Sequence, residues 1–395
     1  DMTEYIRPAS DSFLTFDPSR VPSPCFVVDE AAVERNLQIL ADFQERSGAK
    51  VLLALKAFGM YSLGPLFNKY LAGTCASGLA EARLGREEFG GEVHVFSAAY
   101  KESDLSEIMK IADHVILNSL GQWDRFKALA ESAMSARPEL QIGLRINPEH
   151  SEGALPIYDP CTAGSRLGVP LSQLVDTDLS MFSGLHFHTL CQQGYAPLDR
   201  TLAKIESEFG DRLSQFEWLN FGGGHLLAHP DYDIEALIVR IKDFSEKYGL
   251  QIYLEPGEGI VNKTGVMVAE ILDTMTNVTD IAIIDCSATC HMPDILEMPY
   301  RANIFHSGLP GDYEHTYRLG GLSCLAGDVV GDYSFEKPLK VGDRIMFDDM
   351  AHYTMVKTST FNGVQLPSIA IWNSQSDEVR VVKGFTYEDF RDRLS

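Results

Sequence analysis

Between residues 25 and 254 the chain alternates short β-rich apolar runs with amphipathic stretches of helical period, and this alternation constrains the fold most. The runs lie at 25–28, 51–55, 73–76, 93–97, 114–118, 142–146, 184–188, 218–221 and 252–254. The helical stretches lie at 30–43, 79–89, 102–111, 122–133, 197–209 and 233–248. Strands separated by helices at this spacing form a parallel sheet, and eight of them close a (β/α)8 TIM barrel. Nine candidates are one too many, so the run at 25–28 is expected to belong to another unit.

Past about residue 262 the texture changes. Segments 265–273, 281–285, 328–335, 343–347 and 378–382 read as strands between Gly, Pro and Asp turns, with little helix until the carboxyl end. This is the pattern of an antiparallel β-domain. The expected architecture is α/β: a barrel over residues 30–262, and a β-domain built from residues 1–29 and 263–395.

A chain of 395 residues suits two domains, and its formal charge of −23 argues against nucleic acid or an anionic membrane surface as a partner. An acidic field suits a cationic small molecule. No apolar run approaches the roughly 20 residues that span a bilayer. The start, Asp1-Met2-Thr3-Glu4-Tyr5, has neither a basic nor an apolar leader region, and Asp1 ahead of Met2 reads as a cloning remnant. Seven scattered cysteines point to a reducing cytoplasm rather than a disulfide framework.

Four features fall at carboxyl ends of barrel strands, where such folds carry their chemistry. Lys56 closes the run 51–55. An amine held against apolar walls has its charged form disfavoured, which frees it as a nucleophile toward a carbonyl. Taken alone, such a lysine is more often a solvated strand end. Gly222, Gly223 and Gly224 follow the run 218–221; they let backbone N–H groups approach an anion without Cβ obstruction, or simply make a flexible turn. Glu255, fixed by Pro256-Gly257, is suited to meet a ring nitrogen and keep it protonated, or is a surface acid. His186 and His188 point to one face of their strand. One of them stacks on a flat ring, or both are core histidines. Cys286, Cys290 and His291 lie in the other domain without C-x-x-C spacing, so no metal is expected. Together Lys56, the triple glycine, Glu255 and His188 compose a pyridoxal-phosphate site: amine, phosphate cradle, pyridinium partner and ring-stacker.

Further motifs are Ala54-Leu55-Lys56-Ala57-Phe58, Gly222-Gly223-Gly224-His225 and Glu255-Pro256-Gly257-Glu258. Others are Ser323-Cys324-Leu325-Ala326-Gly327-Asp328, Ala351-His352-Tyr353-Thr354-Met355-Val356-Lys357 and Phe361-Asn362-Gly363. On these segments the chain resembles the fold-type III pyridoxal-phosphate decarboxylases, the ornithine and diaminopimelate decarboxylase family with its alanine-racemase-like barrel. Within that family it resembles most the carboxynorspermidine/carboxyspermidine decarboxylases. The resemblance runs from residue 25 to about 370.

The resemblance implies a cytoplasmic homodimer in which the partner's β-domain completes each active site. It implies that Lys56 bonds covalently to the cofactor, His188 stacks on its ring, and Glu255 pairs with the ring nitrogen. Gly222, Gly223, Gly224 and Tyr353 would hold the phosphate. Arg166 matches an arginine near the cofactor, or equally a structural ion-pair partner. Cys324 looks like the thiol that protonates the carbanion after CO2 leaves, and Asp294 like the carboxylate for the substrate's distal amine. Glu258 and Asp328 are further acids for a cationic substrate. Glu258 departs from the arginine that ornithine and diaminopimelate decarboxylases carry, and the stretch from Cys75 to Glu81 departs in spacing.

The implied reaction is decarboxylation of carboxynorspermidine or carboxyspermidine. Another carboxylated aminopropyl-polyamine, or diaminopimelate, is the alternative. Diaminopimelate needs a cation for its distal carboxylate, for which the β-domain offers Arg301 and Arg318. Alanine racemases place a cation at the ring nitrogen, so an acid at Glu255 favours decarboxylation. A non-catalytic, regulatory cofactor-binding protein is the alternative of another class; the presence of both Lys56 and Cys324 speaks against it.

Overall fold

The structure, a computed structural model, describes residues 11–152, 157, 159–190 and 193–395; the segment Asp1–Tyr5 lies outside them. The chain forms two units, one of residues 36–260 and one of residues 11–35 with 261–395.

Strand β1 (Cys25–Asp29) belongs to the second unit, as the surplus of candidates required. The next strands are β2 (Lys50–Ala54), β3 (Gly73–Ala76), β4 (Glu92–Phe96), β5 (His114–Leu117) and β6 (Gln141–Asn147). After a two-residue side strand, β7 (Val169–Pro170), come β8 (Gly184–His186), β9 (Trp218–Asn220) and β10 (Gln251–Leu254). Apart from β7 they pair in parallel around a ring, and the ring closes where β10 pairs with β2, Tyr253 opposite Lys50 and Leu254 opposite Val51. Helices fill the connections. Ser119 caps Leu120–Ala136 by accepting from Gln122 N–H, and Asp233 caps Ile234–Tyr248 by accepting from Ala236 N–H. No described helix is long and apolar enough to cross a membrane.

Side chains alternate along each strand, so every second residue fills the barrel. Leu52, Ala54, Cys75, Ile116, Trp218 and Tyr253 form its apolar interior. Trp218 fits only because two neighbouring strands carry glycine beneath it. A Cβ on Gly143 would stand 2.4 Å from the indole, and one on Gly184 only 2.0 Å from it.

In the second unit the strands are β11 (Gly265–Asn277), β12 (Thr279–Ile284), β13 (His315–Gly320), β14 (Val329–Phe335), β15 (Arg344–Phe347), β16 (Ser368–Asn373) and β17 (Glu378–Lys383). They make one sheet in the order β14-β13-β12-β11-β1-β16-β17, with β15 also on β11. The sheet is mixed rather than purely antiparallel, because β1 runs parallel to β16 and β12 parallel to β13. Parallel neighbours need a long crossover. β1 obtains one because the whole barrel intervenes before β16, and β12 because residues 285–314 intervene before β13. β13 and β16 were not among the expected strands.

Replacing Gly184 by alanine forces its methyl into the Trp218 ring. Gly184→Ala is expected to lose about 3 kcal/mol of stability in urea denaturation, at the upper end of overpacking costs. Wild-type stability in that variant would mean that the indole does not fill the barrel at this level.

Candidate active site

The carboxyl ends of the barrel strands surround a pocket that holds Lys56, Arg145, His186, His188, Gly223 and Glu255, with Cys75, Ser77 and Phe96 completing its wall. Barrel closure continues past the strand ends, where Ala54 N–H donates to Pro256 C=O at 3.0 Å. That bond sets the segments bearing Lys56 and Glu255 side by side. Leu55, Ala57 and Phe58 are buried around Lys56, yet the lysine itself is exposed. Its pocket neighbours combine apolar side chains, Ala54, Ala76 and Phe96, with the charged and polar Arg145, His186, His188 and Glu255. Its ammonium has no hydrogen-bond or ion-pair partner among the described residues.

Glu255 is buried, and its Oε1 lies 2.8 Å from His186 Nε2. Burial opposes the charge, but the contact with His186 and a thiol hydrogen bond from Cys75 outweigh it and hold the carboxyl down to about 2. The Cys75 thiol is pushed well above 9 by burial and by Glu255, so it stays a donor. Oε1 forms no aligned hydrogen bond despite the short contact with His186. Glu255 is therefore an ionised carboxylate whose Oε1 is buried against His186 at the wall of the pocket.

His188 is oriented by backbone. Gly223 N–H donates to its Nδ1 at 2.9 Å, so the proton of the neutral ring sits on Nε2. Burial, with Lys56 and Arg145 nearby, pushes His188 well below 6.5 and keeps it neutral. Gly222 N–H donates to Asn220 Oδ1 at 2.8 Å, so two of the three glycine amides are already bonded within the barrel. What the glycines supply is close approach. Gly222 has φ +67°, and a Cβ there would meet Phe187 C=O at 2.3 Å. A Cβ on Gly223 would meet Glu255 C=O at 2.7 Å.

Arg145 is a pocket residue that the sequence reading missed. It is buried, lies over the Phe96 ring at 4.5 Å, and has no carboxylate partner among the described residues. Burial lowers it to about 10, so it remains a cation at neutral pH. The signal was available: a lone arginine inside the apolar run 142–146, near the end of its strand. Arg166 is exposed in a loop that Asn118 ties down, donating to Arg166 C=O at 2.7 Å and accepting from Gly168 N–H at 2.6 Å. Glu258 is buried at the start of the four-residue helix Glu258–Val261.

The remaining candidates lie in the second unit. Cys324 is exposed, whereas the other described cysteines are buried, and its amide donates to Asn362 Oδ1 at 2.7 Å. Asp328 is buried and occupied: Ser287 and Ser323 hydroxyls each donate to Oδ2 at 2.6 Å, and Ala288 N–H donates to Oδ1 at 2.8 Å. It braces the loop before it and has little left for a substrate. Asp294 pairs with Lys357 at 2.7 Å, and Glu297 pairs with the same ammonium at 2.9 Å. Tyr353 is half-buried with φ +51°.

Over residues 25–351 the chain matches the family described as pyridoxal-dependent decarboxylase, C-terminal sheet domain. The chain belongs to the pyridoxal-dependent decarboxylases, and is an enzyme of that class. It is similar to the carboxyaminopropylagmatine decarboxylase of Synechocystis sp., 45% identical over 95% of this chain and 96% of that protein. It is also similar to the carboxynorspermidine/carboxyspermidine decarboxylase of Campylobacter jejuni, 38% identical over 94% of this chain and 98% of that one. The crystal structure of carboxynorspermidine decarboxylase from Campylobacter jejuni complexed with norspermidine matches with a TM-score of 0.87 at 38% identity, over 94% of this chain and 100% of that chain. Diaminopimelate decarboxylase from Helicobacter pylori, at 17% identity and TM-score 0.79 over 95% and 97% of the two chains, shares the fold. The pocket fits the family's cofactor, pyridoxal phosphate. It offers an unpartnered amine at Lys56, an ionised carboxylate at Glu255 and a buried cation at Arg145 without a carboxylate partner among the described residues.

The buried histidines give stability a definite pH dependence. Burial pulls His225 beside the pocket and His291 in the second unit each down to about 4. The unfolded chain takes up protons below about pH 6.5 that these folded rings refuse. Each ring therefore removes about tenfold from the folding equilibrium per pH unit between roughly 6.5 and 4. Glu255, depressed to about 2, adds its loss only below about pH 4.5. Urea midpoints are expected to fall steadily from pH 7 to pH 5; a flat profile would show that these rings are not held neutral.

Proposed function

We propose that this enzyme decarboxylates a polyamine carrying a carboxyaminopropyl head, with carboxynorspermidine or carboxyspermidine as the first reading. The observation that carries it is Glu255, an ionised buried acid lining the same pocket as Lys56. When bound, pyridoxal phosphate supplies an electron sink for the pair left behind as CO2 departs. The chain's residues do the rest. Lys56 holds the cofactor through its amine, Glu255 keeps a proton on the ring nitrogen, and His188, fixed by Gly223, covers the ring. Gly222, Gly223, Gly224 and Tyr353 serve its phosphate, with Arg166 close by. The bond from the α-carbon to the carboxylate breaks, and a proton replaces CO2 on that carbon. Cys324, exposed on its braced loop, is assigned as the donor of that proton.

Asp294 receives the distal cation of the substrate, with Glu297 beside it and Lys357 as the counter-ion to be displaced. Glu258 stands where ornithine and diaminopimelate decarboxylases carry an arginine that helps neutralise phosphate, and adds negative charge for a cationic substrate instead. Diaminopimelate lacks a receptor. Arg301 stacks on Tyr333 at 3.8 Å and donates to backbone carbonyls, and Arg318 pairs with Asp332 at 3.0 Å. A second reading, carboxyaminopropylagmatine, is favoured by the 45% identity with the Synechocystis enzyme; it shares the head group and ends in a guanidinium. The enzyme works as a homodimer whose partner completes each site, in a reducing cytoplasm. The free state of the six described cysteines supports that location.

In a competition assay of carboxynorspermidine, carboxyspermidine, carboxyaminopropylagmatine and diaminopimelate, diaminopimelate is expected to be the poorest substrate. Its equal or better use would overturn the polyamine assignment. Lys56→Ala and Cys324→Ala should each lower kcat by about 10²-fold or more. Mixing the two variants should restore part of the activity, whereas no recovery after demonstrated subunit exchange would exclude shared sites. CO2 release by the wild type separates an enzyme from a regulatory binder.

A further inference from the structure

At the amino ends of the barrel strands, away from the pocket of Lys56, the interior carries a second polar cluster. Glu92 and His94 lie on β4 and His114 begins β5, with His94 directly opposite His114 in the strand pairing. One ligand atom from each of the three lies within 4.8 Å of the others. His94 Nε2 and Glu92 Oε1 are already 3.3 Å apart, about the separation that zinc imposes on donors at roughly 2 Å. The imidazoles touch, with ring centroids 4.0 Å apart, and the far face of His114 stacks on Trp218 at 4.3 Å.

These rings are costly barrel fillers. His94 and His114 are 1% and 5% exposed, and the Nδ1 of each is buried without a hydrogen-bond partner. An orphaned polar atom of this kind is destabilising, and aliphatic side chains are the usual occupants of a barrel interior. Two imidazoles beside one carboxylate form the donor set of a His2Glu zinc site, His94 binding through the Nε2 that contacts Glu92 once its proton has moved to the unpartnered Nδ1. Glu92 also accepts from Tyr253 Oη at 2.9 Å, which orients the carboxylate. Access is available through Lys50, whose ammonium lies 3.1 Å from Glu92 Oε2 and whose side chain is 44% exposed. Lys50 neutralises the acid in the absence of metal and is free to swing out into solvent.

We propose that Glu92, His94 and His114 form a zinc site at the base of the barrel, with Lys50 as the competing cation. The site shares no side chain with the cofactor pocket. Its role is to tie β4 to β5 at the end of the barrel opposite the chemistry, since a metal that binds only the folded state stabilises it.

The test uses tag-free, cofactor-loaded enzyme stripped of metal, equilibrated with zinc chloride against a chelator and analysed by elemental mass spectrometry after gel filtration. Lys50→Met is expected to hold one zinc per chain at least about tenfold more tightly than wild type, since it removes a competing charge worth 1.4 kcal/mol or more. His114→Phe keeps the stack on Trp218 and is expected to lose that zinc, as is Glu92→Gln. Zinc should raise the thermal midpoint of Lys50→Met and leave that of Lys50→Met/His114→Phe unmoved. Absence of retained zinc in Lys50→Met, or retention unchanged by His114→Phe, would overturn the site and identify the two rings as packing alone.

Discussion

Closure of the barrel between β10 and β2 is the constraint on which the rest of the pocket depends. Two residues beyond β2 stands Lys56, and one residue beyond β10 stands Glu255. They are 199 residues apart in sequence, and only the parallel pairing of the last barrel strand with the first makes their strand ends neighbours. The pairing persists past the regular strands in the bond from Ala54 N–H to Pro256 C=O. Below it, Gly143 and Gly184 admit the Trp218 indole, so the ring of strands is filled without being forced open. Any change that slips β10 against β2 by one residue would turn alternate side chains away from the pocket.

Given that framework, the pocket's charge balance explains its choice of ligand. Lys56 and Arg145 bring positive charge, Glu255 brings one negative charge, and burial keeps His186 and His188 toward their neutral forms. A buried guanidinium without a carboxylate is expensive unless a ligand supplies the missing anion. In a chain of net charge −23 this one cavity is locally cationic, which suits a phosphate-bearing cofactor. The polyamine proposed as substrate would demand the opposite sign, which in the other unit Asp294 and Glu297 carry, paired with Lys357.

The barrel was legible because its signal is local. Each strand is a short apolar run, each helix an amphipathic stretch, and Lys56, Gly222, Gly223, Gly224, Glu255 and His188 all fall at run ends. The second unit was less legible because its topology is not local. Neither the parallel partnership of β1 with β16 nor that of β12 with β13 has any counterpart in neighbouring residues. β13 passed unnoticed because Arg318 and His315 interrupt its apolar pattern, its outer face being solvated. In the site, sequence identified acids but not their occupancy. Asp328 looks like any other acid in the motif, yet its oxygens are filled by Ser287, Ser323 and Ala288. The apolar sequence neighbours of Lys56 are buried while the lysine itself is exposed, and in its pocket it meets charged groups such as Arg145 and Glu255 besides Ala54, Ala76 and Phe96.

That occupancy also gives Asp328 a purpose. The proposed role of Cys324 would require a thiol held in place, and exposed loops are usually mobile. The loop bearing Cys324 is fixed at both edges. Asp328 binds the hydroxyl of Ser323, next to the cysteine, and anchors itself on Ser287 and Ala288 of another segment. On the other side, the Cys324 amide donates to the side chain of Asn362, a residue at φ +61° that asparagine tolerates better than most. The acid that sequence offered to the substrate is better placed to brace the loop of Cys324. A buried carboxylate with three short hydrogen bonds therefore fixes the loop of an exposed cysteine in position.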